Sequence, residues 1–559
     1  MPSRKVKLIA ASTMVSLLGL GLVYMLVAAQ GQGILAQEPL NNQLSIPPAF
    51  IMAVDDSGSM TFQTQFPGAD GQGCWSTARE SFFSSAGALN TSGLCGYNHV
   101  MVGPRIDTSR LGVPPIDLYG FARSAAYNPT YYNPRVVYDP WIKEDGKESW
   151  GDASTTATRI DPRPTYTATV NLTQNLIWGD RSDSSRMQNG MVIPVGTRYR
   201  VYSGNNLGGT QTANGSEWTA GPADVLISTV RSVFFTPYTS NNDPFPVLPG
   251  SVNAYNSVDT PRIRVANACG QGCDLWKYTI NASSTDALRN FANWFSFYGN
   301  RNKAIVAGLT RSLVNVRQDL RVGYFRINQH ASFDSVSDAL PMRTMGNDTQ
   351  RKALYAEMIA LTASGGTPNR EAVNAAGIQF QRTDTGSPIQ FACQKNAVML
   401  FTDGYNNNPG GSAGATNAQG DGGMGPPFSD TYDNTMGDIA AKYYNDVAGR
   451  SPLRPDLPAG LVPVPSACAA APSVRLDCQK NLHINFYGVT LGARGNLFNP
   501  DIVQDAYTDA AIYRNWPARS DNDPATVDDI WHAAINTRGD YINVCLLYTS
   551  LMARGRRVD

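Results

Sequence analysis

The feature that most constrains this chain is a short apolar run that ends in small oxygen-bearing side chains. Residues 49–54, Ala-Phe-Ile-Met-Ala-Val, contain no Gly or Pro, and such a run predicts a buried strand of a parallel sheet. An Asp-x-Ser-x-Ser motif follows at once, with Asp55, Ser57 and Ser59. These side chains are hard oxygen ligands that suit Mg²⁺ or Ca²⁺ better than Zn²⁺. The motif alone is also typical of a capping loop, so both interpretations stay open at this point.

Two later stretches favour the cation-binding interpretation. Gly-Gly-Thr-Pro at residues 365–368 places the hydroxyl of Thr367 in a tight turn ahead of a predicted helix. Residues 396–402 form a second apolar run, and Asp403 and Gly404 follow it. In open α/β sheets, binding sites form at the carboxyl ends of parallel strands, where both acidic loops would lie.

Taken together, the three stretches resemble the metal-ion-dependent adhesion site (MIDAS) of von Willebrand factor A (vWA) domains. The resemblance implies that Ser57, Ser59 and Thr367 contact a divalent cation, Mg²⁺ or Ca²⁺, directly. It implies that Asp55 and Asp403 hold water molecules of that cation. The sixth position of the cation would then be open to a carboxylate from a partner.

The order of predicted elements indicates an α/β fold, a doubly wound vWA-like sheet with helices on both faces. The sequence pattern predicts one long amphipathic helix over residues 286–313 and another helix over residues 501–513. Residues 61–285 are instead rich in Gly, Pro, Asn and Thr, and they predict a large, loop-rich, mostly β insertion. The expected organisation is a signal peptide (1–36), the first strand and metal loop (37–60), the insertion (61–285), the remainder of the vWA domain (286–544) and an artefactual tail (545–559).

Composition and the first residues bear on the location of the protein. Charged residues make up 16% of the chain and the net charge is zero, which gives no basic patch for nucleic acid. Three basic residues precede an apolar stretch at residues 8–29. This pattern predicts an export signal that is cleaved near Ala29 or Ala36, with an uncleaved membrane anchor as the alternative.

Six of the eight Cys residues fall into three locally spaced pairs, which are candidate disulfides in an exported chain. The pairs are Cys74 with Cys95, Cys269 with Cys273, and Cys468 with Cys478. A Zn²⁺ site is the alternative for the second pair, and Cys393 is left over. Cys545 begins Cys-Leu-Leu-Tyr-Thr-Ser, which matches a translated sequencing adapter. We therefore expect residues 545–559 to be a sequencing artefact and the natural protein to continue beyond residue 544.

Two further features leave their role open. The Tyr- and Trp-rich run at residues 127–141 either forms a binding surface or packs as local core, and the core interpretation is favoured. Asp421 lies in Gln-Gly-Asp-Gly-Gly at residues 419–423. It is either part of a second cation site or part of a flexible surface loop, and the loop interpretation is favoured.

Several motifs, some of them outside the predicted metal site, resemble the PilY/PilC family of type IV pilus tip-associated proteins. They are Val-Asp-Asp-Ser-Gly-Ser-Met (54–60), the Tyr-Asn-Pro and Tyr-Asp-Pro-Trp run (127–141), Asn-Phe-Ala-Asn-Trp-Phe-Ser (290–296), Cys-Gln-Lys-Asn (393–396) before Thr-Asp-Gly-Tyr (402–405), and Asp-Ile-Trp-His-Ala-Ala-Ile-Asn (529–536). The family carries a C-terminal β-propeller, and this chain stops before it.

The resemblance implies an exported protein that passes through the periplasm to the pilus tip, outer membrane or cell surface. Its partners would be minor pilins at the tip and a host or abiotic surface, bound through an acidic group at the metal. Only four His residues occur and no nucleophile or nucleotide motif is present, so we expect a binding protein and not an enzyme. The alternative is a secreted or periplasmic vWA-domain binding protein unrelated to pili.

Overall fold

The apolar run at residues 49–54 forms a strand in the middle of the largest sheet. The computed structural model describes residues 46–100, 111–180, 198–203, 206–212, 225–230, 232–407, 415–444, 452–500 and 502–543. Within these ranges, no helix is both long enough and apolar enough to cross a membrane. The predicted signal peptide (1–36) and the predicted artefactual tail (545–559) lie outside the described residues.

The first half of the chain is built from short strands. Strand β1 (Ala49–Val54) is followed by a turn of 3₁₀ helix at Gly58–Thr61. Between residues 73 and 279 the described residues form twelve further strands: β2 (Gly73–Trp75), β3 (Leu94–His99), β4 (Leu111–Gly112), β5 (Thr158–Arg159), β6 (Thr169–Val170), β7 (Asn175–Asp180), β8 (Arg198–Ser203), β9 (Asn206–Thr212), β10 (Val225–Val230), β11 (Val233–Pro237), β12 (Arg262–Val265) and β13 (Leu275–Thr279).

Helices and strands alternate in the second half of the chain. In order, its described α-helices and β-strands are α1 (Thr285–Phe297), α2 (Arg301–Ser312), β14 (Arg321–Arg326), β15 (Met342–Thr344), α3 (Asp348–Ile359), α4 (Asn369–Phe380), β16 (Asn396–Thr402), α5 (Met436–Tyr444), α6 (Ala467–Ala470), β17 (Asn485–Thr490), α7 (Ala510–Tyr513), α8 (Ala525–Asn536) and β18 (Asp540–Asn543).

The largest sheet has six strands in the order β15-β14-β1-β16-β17-β18. Strand β15 runs antiparallel to β14, and the other neighbouring pairs are parallel. Val54 is in register with Arg326 of β14 and Phe401 of β16. The loops that follow β1 and β16 therefore leave the sheet side by side. This mostly parallel sheet with its helices confirms the prediction of an α/β fold.

Both faces of the sheet are covered, and β1 shows why. Its residues alternate between two apolar cores, with Ile51 and Ala53 in one and Met52 and Val54 in the other. Helices α4, α5 and α8 pack into the first core, whereas α1, α2 and α3 pack into the second. A strand that is buried on both faces has no need of polar residues at alternate positions, which explains its continuous apolar sequence.

The strands between residues 61 and 285 form four smaller sheets, β7-β10-β8-β9, β11-β13-β12, β2-β3-β4 and β5-β6. The Tyr- and Trp-rich run of this region is core, because Tyr132, Tyr138 and Trp141 are at most 1% exposed. The indole N–H of Trp141 donates to the carbonyl oxygen of Phe297, and Tyr132 packs edge-on against Phe291. The insertion predicted at residues 61–285 thus shares its core with α1. Its domain limits stay predictions.

Two helix predictions from the sequence are wrong. The long helix predicted over residues 286–313 is divided into α1 and α2, because Asn300 adopts an extended conformation and its side chain caps the N–H of Lys303. The apolar periodicity continues across this break, which hides it in the sequence. In the region predicted as helix at residues 501–513, the described residues are helical only in α7, from Ala510 to Tyr513.

Candidate functional site

The three motif stretches of the predicted metal site meet at the carboxyl ends of the central strands of the six-stranded sheet, which we call the sheet edge. Asp55 follows β1 and Asp403 follows β16, and these strands are parallel neighbours. The backbone N–H of Asp55 continues the ladder by donating to the carbonyl oxygen of Phe401 over 2.8 Å. We refer to Asp55, Ser57, Ser59, Thr367 and Asp403 as the sheet-edge cluster; each of them is at most 7% exposed.

A chain of hydrogen bonds joins the serines to Asp403. The hydroxyl of Ser59 donates to Oδ2 of Asp403 over 2.6 Å. Ser57 Oγ lies 3.0 Å from Ser59 Oγ, and Ser57 must be the donor because the proton of Ser59 is already committed. Residues 344 positions apart in sequence are thereby in direct contact.

Asp55 is held from two sides in a fully buried position. Its Oδ1 accepts the N–H of Ser57 over 2.8 Å, and its Oδ2 accepts the hydroxyl of Thr402 over 2.7 Å. Burial and, to a smaller extent, the nearby charge of Asp403 raise the pKa of the Asp55 carboxyl to about 8, against the hydrogen bonds from Ser57 and Thr402. A cation bound here would favour the ionised form of Asp55.

The Thr367 loop is fixed to the other two loops through its backbone. Gly58 N–H donates to the carbonyl oxygen of Gly365 over 3.0 Å. The N–H of Thr367 donates to Oδ1 of Asn407, four residues after Asp403, over 2.6 Å. Gly365 has a φ of +94°, a conformation that favours glycine. The Thr367 loop is therefore anchored to the Asp55 loop through Gly365 and to the Asp403 loop through Thr367.

Arg301 is the main residue of this site that the sequence did not reveal. It is fully buried, and Nη1 donates to Oδ2 of Asp403 over 2.6 Å. Its other nitrogens donate to the carbonyl oxygens of Thr64 and Asp70. Arg301 lies at the start of α2, within the stretch that the sequence predicted as one continuous helix. The polar run Asn-Arg-Asn-Lys at residues 300–303 was the available signal, since polar residues interrupt the apolar pattern there.

The donor set of the sheet-edge cluster fits a hard divalent cation. It offers two carboxylates and three hydroxyls, the ligand types that Mg²⁺ and Ca²⁺ take. The 3.0 Å between the hydroxyls of Ser57 and Ser59 is close to the roughly 2.9 Å that separates adjacent ligands around octahedral Mg²⁺. Thr367 is brought to this edge by its loop and not by a hydrogen bond of its own hydroxyl to the serines.

The candidate disulfide cysteines do not belong to the sheet-edge cluster, and the structure bonds them in the three predicted pairs. The sulfur atoms of Cys74 and Cys95 are 2.02 Å apart and join β2 to β3. Those of Cys468 and Cys478 are 2.03 Å apart. Cys269 is bonded to Cys273, and Cys393 is a free, half-buried thiol.

Comparison with known proteins finds relatives over about half of the chain. It is 26% identical over 309 residues to "Type IV pilus biogenesis factor PilY1" of Pseudomonas aeruginosa strain PAK, which covers 49% of this chain and 26% of that protein. It is 27% identical over 311 residues to the same factor of strain PAO1, which covers 50% and 26%. The chain thus spans about a quarter of the length of these relatives.

These matches confirm the resemblance to the PilY/PilC family that the sequence motifs indicate. No protein-family model matches the chain. No solved structure matches it either.

Proposed function

We propose, from the premise that this chain is a relative of the PilY1 type IV pilus biogenesis factors, that it is a pilus-associated adhesion and assembly protein. It would bind its partner through a vWA domain with a metal-ion-dependent adhesion site. The observation that carries the proposal is the meeting of the loops at residues 55–59, 365–367 and 403 at one sheet edge.

The fold supports the assignment of a vWA domain. The central strand β1 lies between two parallel neighbours, and helices cover both faces of the sheet. Ligand sites of such doubly wound sheets form outside the carboxyl ends of the strands. The sheet-edge cluster lies in that position.

We assign Mg²⁺ or Ca²⁺ as the cation of this site. Ser57, Ser59 and Thr367 would contact it directly, while Asp55 and Asp403 would hold its water molecules. Bound there, the cation would supply an electrophilic position that a carboxylate of the partner can occupy. Thr402 and Arg301 keep the two aspartates in place, the first by its hydroxyl and the second by its guanidinium.

The balance of charge supports an acidic ligand. Asp55 and Asp403 are buried beside one guanidinium, that of Arg301, so the three groups carry one net negative charge when all are ionised. A divalent cation changes this to one net positive charge. A carboxylate from a partner then makes the buried group neutral, which reduces the cost of keeping the charges out of water.

The proposed partners are minor pilins at the pilus tip and a host or abiotic surface. The chain would reach the pilus tip, outer membrane or cell surface by export through the periplasm. We propose binding and not catalysis, because the cluster offers oxygen ligands and hydroxyl groups without a placed general base. The four His residues of the chain are His99, His330, His483 and His532, and none belongs to the sheet-edge cluster.

A capture experiment tests the proposal. The purified full chain is immobilised and exposed to minor pilins in Mg²⁺ or in EDTA, beside Thr367→Ala and the exposed control Thr173→Ala. We expect capture in Mg²⁺ by the wild type and by Thr173→Ala, and its loss in EDTA or in Thr367→Ala. Capture that is unchanged in EDTA would overturn the proposal. Cation-dependent binding to surfaces without pilin capture would instead favour a vWA protein unrelated to pili.

A further inference from the structure

A second group of buried acidic side chains lies in the loop that follows β16 and in the helices against it. It consists of the four carboxylates of Asp421, Asp430, Asp438 and Asp529 together with the imidazole of His532, and we call it the loop cluster. Asp421 is fully buried, with its Oδ1 accepting the N–H of Asp430 and its Oδ2 accepting the amide of Asn536 over 2.8 Å. The interpretation of Asp421 as part of a flexible surface loop is therefore wrong.

Two members of the loop cluster have local partners. Asp438 accepts the N–H and the hydroxyl of Thr435, just ahead of α5. Asp529 accepts the N–H groups of Met436 and Gly437 at the first turn of α5, where N–H groups otherwise lack a partner. Both carboxylates therefore have a structural role at the start of a helix. Asp421 and Asp430 are left to be explained.

His532 is fixed in a buried position with one ring nitrogen unused. Its ring stacks on Trp516 with 4.4 Å between centroids, and Nε2 lies 2.5 Å from the carbonyl oxygen of Phe428. A carbonyl oxygen accepts, so Nε2 carries the proton and donates. In a singly protonated imidazole, Nδ1 is then the nitrogen without a proton. Nδ1 then presents a lone pair, and it has no hydrogen-bond partner.

The lone pair of Nδ1 faces a second acceptor. Oδ2 of Asp430 lies 3.6 Å from Nδ1 of His532, and this oxygen also is buried without a partner. Oδ2 of Asp421 lies 3.3 Å from Nε2 of the same ring. One ligand atom from each of the three residues can be chosen so that all lie within 4.8 Å of one another. Two buried acceptors facing each other repel unless a positive charge lies between them.

The charged side chains around the loop cluster do not supply the positive charge that Asp421 and Asp430 need. Arg370 lies 4.0 Å from Asp529. In the described part of the chain, no Lys or Arg forms an ion pair with Asp421 or Asp430. The site is thus short of positive charge, which either a proton or a metal cation would supply.

We propose that Asp421, Asp430 and His532 bind a divalent cation of the Zn²⁺ class, at a site separate from the sheet-edge cluster. An imidazole nitrogen together with two carboxylates suits Zn²⁺, whereas Ca²⁺ and Mg²⁺ prefer oxygen ligands alone. The ligands come from the loop after β16 and from α8, which are about a hundred residues apart in sequence. The cation fastens this loop to the helix and has a structural role.

The substitution Asp430→Asn separates a metal from a proton. Asn has the shape of Asp, and its amide N–H group can donate to Nδ1 of His532 in the gap where the cation would lie. The variant therefore keeps the fold and satisfies the lone pair without metal. The matched control is Asp433→Asn, an exposed carboxylate of the same loop. Asp55→Asn reports on any Zn²⁺ that binds at the sheet-edge cluster.

The test measures Zn²⁺ content and thermal unfolding of the full, untagged chain after removal of metals by chelation. We expect about one Zn²⁺ per wild-type chain and a rise of several degrees in Tm. Asp433→Asn and Asp55→Asn keep both responses, and Asp430→Asn loses them while its metal-free form unfolds no earlier than the wild type. Absence of Zn²⁺ uptake by the wild type, or equal uptake by Asp430→Asn, would overturn the proposal. An equal response to Ca²⁺ would overturn the assignment to the Zn²⁺ class.

Discussion

The sheet-edge cluster and the loop cluster both bury carboxylates, but they differ in how the negative charge is compensated. Each buries two or more carboxylates, which costs free energy unless opposite charge or hydrogen bonds compensate. In the sheet-edge cluster a guanidinium is built in, since Arg301 donates to Asp403 over 2.6 Å. In the loop cluster Nδ1 of His532 lies 3.6 Å from Oδ2 of Asp430, and neither atom has a hydrogen-bond partner. The stability of the first cluster should therefore depend less on a bound cation than that of the second.

The largest effect is expected from removing the built-in cation. Arg301→Met leaves the carboxylate of Asp403 buried without its charged partner, and we expect it to lower the free energy of unfolding by about 3–5 kcal/mol. Urea denaturation at pH 7 measures the change. The control is Arg317→Met, whose ion pair with Asp319 is half exposed, and whose loss should cost at most about 1 kcal/mol. Equal losses in the free energy of unfolding for the two substitutions would show that Arg301 does not compensate the buried charge of Asp403.

The pH dependence of the metal-free chain tests both clusters together. Burial raises the pKa of Asp55 and of Asp430 to about 8 and that of Asp438 to about 7. Between pH 4 and 8 the folded chain holds protons that the unfolded chain has lost, so the stability from these groups is full below the unfolded value of 3.8 and falls as pH rises. The slope is at most about 1.4 kcal/mol per pH unit for each group.

This fall is measured by urea denaturation in EDTA at pH 5, 6.5 and 8. Asp55→Asn and Asp430→Asn should each reduce the fall, because an amide has no proton to lose in this range. Zn²⁺ should restore the wild type at pH 8 more than it restores Asp430→Asn. A stability that rises steadily from pH 5 to pH 8 in the wild type would contradict the raised pKa values.

Two glycine substitutions separate the loops of the two clusters. A methyl group at Gly365 would meet the side chain of Asn328 at 2.9 Å, and this residue has a φ of +94°. A methyl group at Gly420 would overlap the carboxylate of Asp438. We expect each Ala variant to lose about 1–3 kcal/mol of stability. Gly365→Ala should weaken the response to Mg²⁺ and Gly420→Ala the response to Zn²⁺, as measured by thermal shift, and a reversed pattern would break the assignment.

The smallest effect on stability is expected from a single hydroxyl. Ser57→Ala removes the hydrogen bond to Ser59, which contributes about 1 kcal/mol. The same change removes a proposed cation ligand, so the affinity for Mg²⁺ should fall at least about tenfold. The exposed control Ser337→Ala should change neither quantity. A large loss of stability with unchanged Mg²⁺ affinity would mean that Ser57 has only a structural role.

The parts of the molecule that were predictable from sequence depend on local patterns. Strands β1 and β16 are continuous apolar runs followed by acidic loops, and parallel strands place such loops at one edge. The order of elements then predicts the α/β fold. The motifs at residues 55–59, 365–367 and 403 were therefore recognisable before any contact was known, although their meeting depends on a register that the sequence does not display.

The parts that were not predictable depend on tertiary packing. Arg301 is charged and lies in a helical pattern, but the break at Asn300 turns its side chain into the core towards Asp403. Asp421 lies in a glycine-rich stretch that is typical of an exposed loop, yet α5 and α8 cover it. Burial of a charged side chain follows from contacts between segments that are distant in sequence, which local composition does not encode.

The measurement that tests the central claim most directly is calorimetric titration of Mg²⁺ into the full chain after removal of metals. It compares the wild type with Asp55→Asn/Ser57→Ala and with Asp430→Asn. Binding at the sheet-edge cluster predicts about one Mg²⁺ per wild-type chain, no binding in the double variant, and unchanged binding in Asp430→Asn. Absence of binding in the wild type, or binding that persists in Asp55→Asn/Ser57→Ala, would contradict a cation-dependent adhesion site at the ends of β1 and β16.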